Sequence, residues 1–189
     1  MVILQVRNIQ YKYLDGTYAL CGASLDIKKG ELLAILGPNG SGKTTLLKHL
    51  NGLLKPETGE ILLEQKSLGK YSSKQVFQKV GIVFQDPNDQ LFAPSVKEDV
   101  AFGPLNLGLS KDEIAHRVDE ALSLVGMTLH ANKAVDALSF GQKKRVCIAG
   151  VLAMKPEILV LDEPTCGLDP AGVTSIMTLL KELNERHGI

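Results

Sequence analysis

Short apolar runs alternate with stretches of helical periodicity along the chain, and this pattern predicts an α/β fold. Two β-like pieces near the start, Val2 to Val6 and Ala23 to Ile27, are separated by turn residues and indicate an antiparallel N-terminal sheet. The next apolar run, Leu32 to Leu36, is continuous, which is typical of a strand buried on both faces. A glycine-rich loop then leads into a helix-like stretch, Lys43 to Leu50, so strand, glycine loop and helix follow one another.

Two later apolar runs, Val80 to Phe84 and Ile158 to Leu161, predict further buried strands. A polar residue follows each run and would lie at the carboxyl edge of the sheet. Open α/β sheets bind their ligands at this edge. We therefore expect a ligand site where these strands end.

The region between these two strands, roughly residues 87–155, has a mostly helical pattern. Its helical signal begins with a capping box formed by Ser110 and Glu113, and Gly126 is a plausible stop. The apolar positions that recur at helical spacing in this run are Ile114, Val118, Ala121, Leu122 and Val125. We interpret this region as an inserted helical subdomain.

A last helix is predicted from about Ala171 to His187. Its apolar face comprises Val173, Ile176, Met177, Leu180 and Leu183. No repeat or low-complexity linker divides the chain, so residues 1–189 are interpreted as a single domain. Its core would consist of about residues 1–86 and 156–189, on either side of the helical subdomain.

Composition supports a globular domain and excludes several other classes. Of the 189 residues, 44% are hydrophobic and 22% are charged, which excludes disordered and fibrous proteins. The 21 basic and 21 acidic residues balance, so charge gives no reason to expect nucleic acid or anionic lipid as a partner. No apolar run approaches the ~18–20 residues of a membrane span, and the start lacks the order of a signal peptide. Cys21, Cys147 and Cys166 contain no CxxC pair, and they fit a reducing cytosol.

A phosphate-binding loop is indicated by the motif G-x-x-x-x-G-K-[ST]. The residues that match it are Gly37, Pro38, Asn39, Gly40, Ser41, Gly42, Lys43 and Thr44. Glycines let the backbone wrap closely around a phosphate, and the positive end of the following helix favours an anion. Lys43 would reach the β- and γ-phosphates, and the Thr44 hydroxyl would bind Mg²⁺. A chance glycine turn before a helix is the alternative interpretation.

Two adjacent carboxylates, Asp162 and Glu163, end the apolar run that starts at Ile158. This is the Walker B arrangement, in which the first acid holds Mg²⁺. Successive strand side chains point in opposite directions, so the two acids are expected to have different tasks. Asp162 would belong to the magnesium shell, and Glu163 would lie beside the attacking water as general base. A solvated acidic strand end is the alternative.

The four histidines provide no cluster with the spacing of metal ligands. They are His49, His116, His130 and His187. Each is expected at the surface or at a helix end, and none is assigned a catalytic role.

A third motif, Leu138-Ser139-Phe140-Gly141-Gln142, has the form of the LSGGQ signature of ABC ATPases. With the two motifs above, it makes the chain resemble the nucleotide-binding domain of that family over essentially its whole length. The resemblance implies a P-loop NTPase core with a parallel sheet, an N-terminal antiparallel β subdomain and an inserted helical subdomain. It also implies that ATP is bound and hydrolysed with Mg²⁺.

The resemblance implies roles for several further residues. Tyr13 takes the position of the aromatic residue that stacks on adenine, with Tyr11 as an alternative, and either could instead pack on the sheet. Gln85 is the Q-loop glutamine, which senses the γ-phosphate and Mg²⁺, and Asp169 of the D-loop helps two sites communicate. The implied nucleotide contacts are Gly37 to Thr45, Tyr13, Ser139, Gly141, Gln142 and Asp169. The implied metal-binding set is Thr44, Gln85 and Asp162, and the catalytic set is Glu163 and Gln85.

The signature also has a local structural interpretation. Ser139 and Gln142 form an S-x-x-Q capping box for a helix that continues to about Ala153. Both interpretations can hold, because a helix start with free N–H groups and a hydroxyl suits a γ-phosphate from another subunit. In the resembled family two domains pack head to tail, so a second ATPase chain, identical or related, is expected. Phe140 departs from the commoner glycine; packing at the helix start or a role in pairing would each explain it, while Gly141 is intact.

The run from Phe84 to Phe92, followed by Val96 to Pro104, resembles the ATPases of energy-coupling-factor and cobalt/nickel-type uptake systems. The resemblance implies a peripheral ATPase on the cytoplasmic side of the cell membrane. It would drive import of a micronutrient, such as cobalt, nickel or a vitamin, through separate membrane-spanning subunits. Leu91, Phe92 and Pro94 would contact the membrane partner, or alternatively would pack inside the helical subdomain.

Two alternatives stay open. A soluble ABC ATPase that acts on DNA or the ribosome would usually carry long insertions, coiled coils or a tandem domain, and the pattern indicates none of these. A nucleotide-binding module without turnover is the other, because the family has one more strand after the last helix. That strand ends in a switch histidine, which would lie beyond Ile189.

Overall fold

The chain begins with a long antiparallel hairpin. The computed structural model describes residues 1–188, and within them β1 (Val2–Lys12) pairs with β2 (Tyr18–Lys28). Gly16 closes the turn, because its φ of +92° lies in the left-handed region and its N–H donates to the Tyr13 carbonyl at 2.9 Å. The predicted antiparallel sheet is confirmed, with strands longer than the sequence pattern indicates.

Two later strands extend the hairpin into a four-stranded sheet. β3 (Thr58–Leu63) and β4 (Lys66–Ser67) complete the strand order β2-β1-β3-β4. One face of this sheet shares a hydrophobic core with helix α1 (Lys43–Leu50), in which Leu4 and Leu50 are buried. Helix α1 has the bounds predicted from the sequence, whereas β3 and β4 are not predicted.

A separate parallel pair is formed by β5 (Val80–Val83) and β6 (Ile158–Leu161). Val80 lies opposite Ile158, and the register continues without a shift to the end of both strands. Helix α2 (Ser73–Lys79) leads directly into β5. Because both strands end at the same edge, the polar residues that follow them lie side by side, as the sequence predicts.

The prediction of a strand over Leu32 to Leu36, buried on both faces, is wrong for this structure. The segment belongs to no strand, and Leu32 and Leu36 are 60% and 90% exposed. It lines a cavity of about 520 Å³ whose opposite wall includes β6 and Met177. The physical reason is that a strand needs a hydrogen-bonded neighbour. The cavity lies between this segment and β6, so the two do not pair.

The predicted helical region contains three α-helices: α3 (Val96–Leu107), α4 (Lys111–Leu124) and α5 (Phe140–Leu152). The mostly helical pattern over residues 87–155 is therefore confirmed. The first helix begins before the predicted capping box at Ser110, because α3 comes before α4 and has its own N-cap, Ser95.

The predicted capping box at the start of α4 forms only in part. The Ser110 hydroxyl accepts a hydrogen bond from the Glu113 N–H at 3.3 Å, as a capping box requires. The Glu113 carboxylate instead accepts a hydrogen bond from Arg117 Nε at 2.6 Å. This ion pair one turn along the helix replaces the reciprocal bond, so the reciprocal half of the prediction is wrong.

Helix α6 (Pro170–His187) confirms the last predicted helix and connects the two halves of the molecule. Its residues Ile176 and Leu183 are buried in the hydrophobic core of the helical region. Near its end, Asn184 Nδ2 donates to the Gly30 carbonyl at 3.1 Å, at the start of the unpaired segment. No helix within residues 1–188 is both long enough and apolar enough to cross a bilayer.

Candidate functional site

A cavity of about 450 Å³ opens where α1 begins and where β5 and β6 end. Its lining residues are Tyr13, Thr17, Tyr18, Ala19, Asn39, Gly40, Gly42, Lys43, Thr44, Thr45, Gln85 and Glu163. Polar, aromatic and charged side chains from four separate parts of the chain thus converge on one space. Most of them are residues that the sequence patterns single out.

The glycine-rich loop is shaped by backbone constraints that only glycine meets. Gly42 is the N-cap of α1 with a φ of +87°, and a Cβ there would lie 2.3 Å from the Ala19 carbonyl oxygen. No side chain caps α1, so its first N–H groups are available to an anion. Lys43 Nζ donates to the carbonyls of Gly37 and Pro38, both at 3.0 Å, which folds the ammonium group over the loop.

Thr44 and Asp162 meet although they are far apart in the sequence. The Thr44 hydroxyl donates to Asp162 Oδ1 at 3.0 Å, and Asp162 is 5% exposed. A hydroxyl and a nearly buried carboxylate oxygen are the hard oxygen donors that Mg²⁺ prefers. The chemistry of this donor pair therefore fits the predicted magnesium site.

Glu163 and Gln85 lie in contact at the carboxyl edge of the parallel pair. Gln85 Nε2 donates to Glu163 Oε2 at 3.0 Å and to Cys166 Sγ at 3.4 Å. Glu163 has a φ of +43°, which is unusual for a residue other than glycine. Strand β6 ends at Leu161, so this backbone turn, rather than the predicted alternation along a strand, directs Glu163.

The structure separates the two candidate tyrosines. Tyr13 lines the cavity and is 38% exposed, and its hydroxyl lies 2.9 Å from Thr45 Oγ1. Tyr11 packs edge-on against His49, with ring centroids 4.7 Å apart, and lies against the core under the sheet. His49 itself is fully buried near the end of α1, and burial lowers its pKa. Of these two tyrosines, Tyr13 is thus the one that faces the cavity.

Tyr18 is a lining residue that sequence reasoning missed. It is 63% exposed at the start of β2, and Lys12 Nζ lies 5.0 Å from its ring centroid. The β1–β2 register places it opposite Lys12, next to Tyr13. A hairpin alignment centred on the Asp15-Gly16 turn would have brought Tyr18 to the same side of the site as Tyr13.

The signature residues do not line this cavity. Ser139 is the N-cap of α5, and the predicted capping box with Gln142 is confirmed in both directions. Gln142 Nε2 also lies 3.0 Å from His130 Nε2, so its amide is engaged within the helical region. Gly141 follows in the first turn of the same helix. None of these three residues therefore contributes to the cavity beside the glycine-rich loop of its own chain.

Two other predicted residues have local structural contacts. Asp169 is the N-cap of α6, where its Oδ1 accepts from the Gly172 N–H at 2.8 Å. The Phe140 ring packs against Gly167, where a Cβ would lie 2.8 Å from Phe140 Cε1, and it also faces Lys144. Of the two alternatives for Phe140, packing at the helix start is what this chain displays.

An exposed apolar patch lies beside the Q-loop. Phe92 and Phe102 are 64% and 48% exposed and meet edge to face with centroids 4.6 Å apart. The carboxylate of Asp99 supports the loop by accepting the N–H of Phe92 at 2.9 Å. Pro94 is also exposed, whereas Leu91 is partly buried and packs against the helical core. Leu91 therefore fits the alternative of packing inside the helical region, whereas Phe92 and Pro94 are exposed, as contact with a partner requires.

Sequence comparisons place this site in a known context. The family described as ABC transporter matches residues 20–166. The energy-coupling factor transporter ATP-binding protein EcfA of Methanocaldococcus jannaschii is 55% identical over 189 residues, which cover 98% of this chain and 67% of the relative. EcfA of Methanococcus maripaludis is 56% identical, with 100% of this chain and 68% of the relative covered. The chain thus spans about two thirds of the length of these relatives.

Solved structures agree with the sequence comparisons. CbiO1 of Clostridium perfringens, described as part of the ABC transporter complex CbiONQ, superposes with a TM-score of 0.89 at 52% identity, covering 100% of this chain and 76% of CbiO1. A dimeric ATP-binding cassette in a post-hydrolysis state, bound to ADP and Pi, superposes with a TM-score of 0.84 at 34% identity. That alignment covers 98% of this chain and 84% of the other.

Proposed function

Because the chain belongs to the ABC transporter family of ATPases, we propose that it is the ATP-hydrolysing subunit of an energy-coupling-factor-type importer that takes up a micronutrient. The observation that carries the proposal is the meeting of Thr44 with Asp162 and of Gln85 with Glu163 around one cavity. The names of the relatives support the same assignment. In this proposal residues 1–86 and 156–189 form the core of a single domain, and residues 87–155 form its helical subdomain.

The nucleotide phosphates would bind at the glycine-rich loop. The uncapped N–H groups at the start of α1 would donate to phosphate oxygens. Lys43 would release the carbonyls of Gly37 and Pro38 and donate to the β- and γ-phosphates instead. Tyr13 at the rim of the cavity would stack on the adenine ring. Thr45, which bonds to Tyr13, would hold that ring relative to the loop.

Mg²⁺ would be held by Thr44 and Asp162, with Gln85 as a further ligand. When bound, the ion would neutralise charge on the β- and γ-phosphates. Asp162 is nearly buried, so its carboxylate is fixed in direction and gains a stronger electrostatic interaction than an exposed acid. Thr44, in the first turn of α1, connects this acid to the phosphate loop.

Glu163 would act as general base for the attacking water. Its carboxylate would accept the proton of the water while the oxygen attacks the γ-phosphorus and ADP leaves. In the structure, Glu163 Oε2 accepts a hydrogen bond from the Gln85 amide. Binding of nucleotide would draw Gln85 towards the metal and release the carboxylate, so that the base becomes free when its substrate is in place.

A second ATPase chain would complete each site. Ser139, Gly141 and Gln142 lie outside the cavity of their own chain, so they would meet the γ-phosphate bound by a partner in a head-to-tail dimer. Asp169, the D-loop residue that caps α6, would connect the two sites. Closure by ATP and separation after hydrolysis would follow from the different affinity of ATP for the two states.

Transport would require membrane-spanning subunits, and the chain would be peripheral on the cytoplasmic side of the cell membrane. Phe92 and Pro94 would supply exposed contacts to that partner. The imported micronutrient would be a metal ion such as cobalt or nickel, or a vitamin. No nucleic-acid partner is proposed, since the charges balance.

Cell fractionation and uptake together test the proposal. The tagged chain, produced in its own cells, is expected in the membrane fraction after nuclease treatment, and its Lys43→Ala variant is expected to abolish uptake of one micronutrient. The control is Phe77→Ser, which replaces an exposed apolar side chain on α2. It should leave the distribution of the chain between membrane and soluble fractions unchanged. Release with nucleic acid or ribosomes, or uptake unaffected by Lys43→Ala, would contradict the proposal.

A further inference from the structure

Lys144 is a buried cation to which the proposed reaction assigns no part. It is 3% exposed in the second turn of α5, and it makes no ion pair with any residue in 1–188. Burial lowers the pKa of Lys144, and nearby groups including Cys166 and Glu163 oppose that effect. Lysine is almost never fully buried without partners, so its polar contacts need an explanation.

Those contacts are two backbone carbonyls at the candidate catalytic centre. Lys144 Nζ donates to the Gln85 carbonyl at 3.0 Å and to the Glu163 carbonyl at 3.3 Å. The side chains of the same two residues are bonded to each other at 3.0 Å. A single ammonium group therefore joins the Q-loop, the acidic turn after β6 and the helix that begins with the signature.

The contact with Glu163 lies where the backbone is unusual. Glu163 has a φ of +43°, and its carbonyl also accepts the Cys166 N–H at 3.0 Å. A residue other than glycine keeps such a conformation only when its surroundings hold it there. Within residues 1–188, Lys144 and Cys166 both donate to this carbonyl.

Phe140 covers the same ammonium group. Lys144 Nζ lies 5.4 Å from the Phe140 ring centroid, within range of a cation–π contact. The Cδ1–Cε1–Cζ edge of the same ring packs closely against Gly167, just beyond the acidic turn. Phe140, which stands where glycine is commoner, thus contributes an aromatic ring to the surroundings of the buried Lys144 ammonium group.

We propose that Lys144, covered by Phe140, is a positioning residue that aims Glu163 and links its backbone to the signature helix. Lys144 does not line the cavity, and it would act through the carbonyls of Gln85 and Glu163. The catalytic consequence rests on the proposed ATPase function. Movement of α5 when the signature meets a partner would be transmitted through this contact to the general base.

The test compares Lys144→Met with Lys144→Arg and with a matched control, Lys143→Met. Lys143 is the neighbouring lysine on α5, and its Nζ donates to Asn88 Oδ1 at 2.9 Å, away from Glu163. Two readouts apply to the full 189-residue chain. One is hydrogen exchange of the Cys166 amide by mass spectrometry, with peptides from β3 as internal reference; the other is the kcat and KM for Mg-ATP.

Lys144→Met is expected to speed exchange at Cys166 about tenfold or more and to leave β3 unchanged, because one of the two donors to the Glu163 carbonyl is lost. It should lower kcat about ten- to a hundredfold with KM changed less than about threefold, since the base is misplaced while the phosphate loop is intact. Lys144→Arg, which keeps a buried donor, should recover most of both properties. Phe140→Leu should also speed exchange at Cys166 and lower kcat, but by smaller factors than Lys144→Met.

Local exchange and kcat equal to the wild type in Lys144→Met would overturn the inference, as would acceleration in the β3 peptides matching that at Cys166. If the wild-type chain does not hydrolyse ATP, the proposed function fails separately, and the exchange comparison still decides whether Lys144 holds the turn. If Lys144→Met does not fold, Phe140→Leu decides: unchanged exchange at Cys166 in that variant overturns the inference.

Discussion

The side-chain amide of Gln85 donates a hydrogen bond of 3.0 Å to the carboxylate of Glu163. This contact joins the ends of the two parallel strands, at a cavity that is also lined by the glycine-rich loop. An amide that donates a hydrogen bond to a carboxylate oxygen fixes the direction of that carboxylate. The relationship explains how a candidate base can be held in place before its water arrives.

Replacing Glu163 by glutamine should separate binding from hydrolysis. Glu163→Gln keeps the shape of the side chain but removes the proton acceptor, so turnover should fall about a hundredfold or more. Affinity for Mg-ATP should stay within about twofold, because the phosphate loop is untouched. Turnover measured by phosphate release and binding measured by fluorescence titration check this; Glu182→Gln on the exposed face of α6 is the control.

Removing the ammonium group of the loop should weaken binding itself. Lys43→Ala deletes charged hydrogen bonds to phosphate, each typically about 1.5–3 kcal/mol, so the Kd for ATP should rise roughly ten- to a hundredfold. Calorimetric titration checks the prediction. Lys48→Ala on the same helix is the matched control, and an equal loss in both variants would contradict a specific phosphate contact.

The Thr44 hydroxyl should matter only when magnesium is present. Thr44→Val removes an oxygen that meets Asp162 at 3.0 Å, whereas Thr44→Ser keeps it. We expect Thr44→Val to lower ATP affinity about tenfold in Mg²⁺ and by less than about twofold in EDTA, because a hard-oxygen ligand is worth about 1–2 kcal/mol here. Equal losses with and without the metal would argue against the magnesium assignment.

Acidification should destabilise the protein through His49. Burial lowers the pKa of this fully buried histidine, against the raising effect of the Thr45 and Lys55 carbonyls. The unfolded chain therefore binds the proton more readily, so stability falls as pH drops below the unfolded value of about 6.5, by up to about 1.4 kcal/mol per unit.

Urea unfolding at pH 7.5 and 5.5 measures this effect. His49→Gln should flatten the difference between the two pH values, because the titrating group is gone. His116, which is exposed on α4, is the control, and His116→Gln should keep the wild-type slope. If the free energy of unfolding changes equally with pH in both variants, a group other than His49 causes the change.

Hydrogen exchange should reveal that Leu32 to Leu36 is unpaired in the 189-residue chain. Within residues 1–188 these amides make no backbone hydrogen bond, whereas those of β6 pair with β5. Exchange at Leu32 to Leu36 should therefore be at least about a hundredfold faster than in β6. Equal protection in the two segments, measured by mass spectrometry, would contradict the cavity that separates them.

Much of the fold could be predicted because it depends on short-range patterns. The bounds of α1, the strand Ile158–Leu161 and the Ser139 cap follow from residues within four or five positions of one another. The same locality explains one error: Leu32 to Leu36 has a strand composition, but a strand exists only beside a hydrogen-bonded neighbour. Sequence periodicity cannot report whether that neighbour is present.

Part of the candidate site could likewise be predicted from the sequence, and part could not. Spacing alone singles out Lys43, Thr44, Asp162, Glu163 and Gln85, since each belongs to a motif whose chemistry restricts the residue type. Spacing does not decide which of Tyr11 and Tyr13 faces the site, and it misses Tyr18 and Lys144. Their roles depend on the register of a hairpin and on the packing of α5 against two loops, which no local pattern encodes.

The sequence by itself determined the glycine-rich loop, the acidic strand end, the capped signature helix and hence the family to which the chain belongs. Each is a set of adjacent residues whose backbone and side chains act together. Only the tertiary structure decided that Gln85 engages Glu163, that Lys144 holds both backbones and that Tyr13 rather than Tyr11 faces the cavity. These contacts join residues far apart along the chain, and packing of the sheets and helices sets their distances.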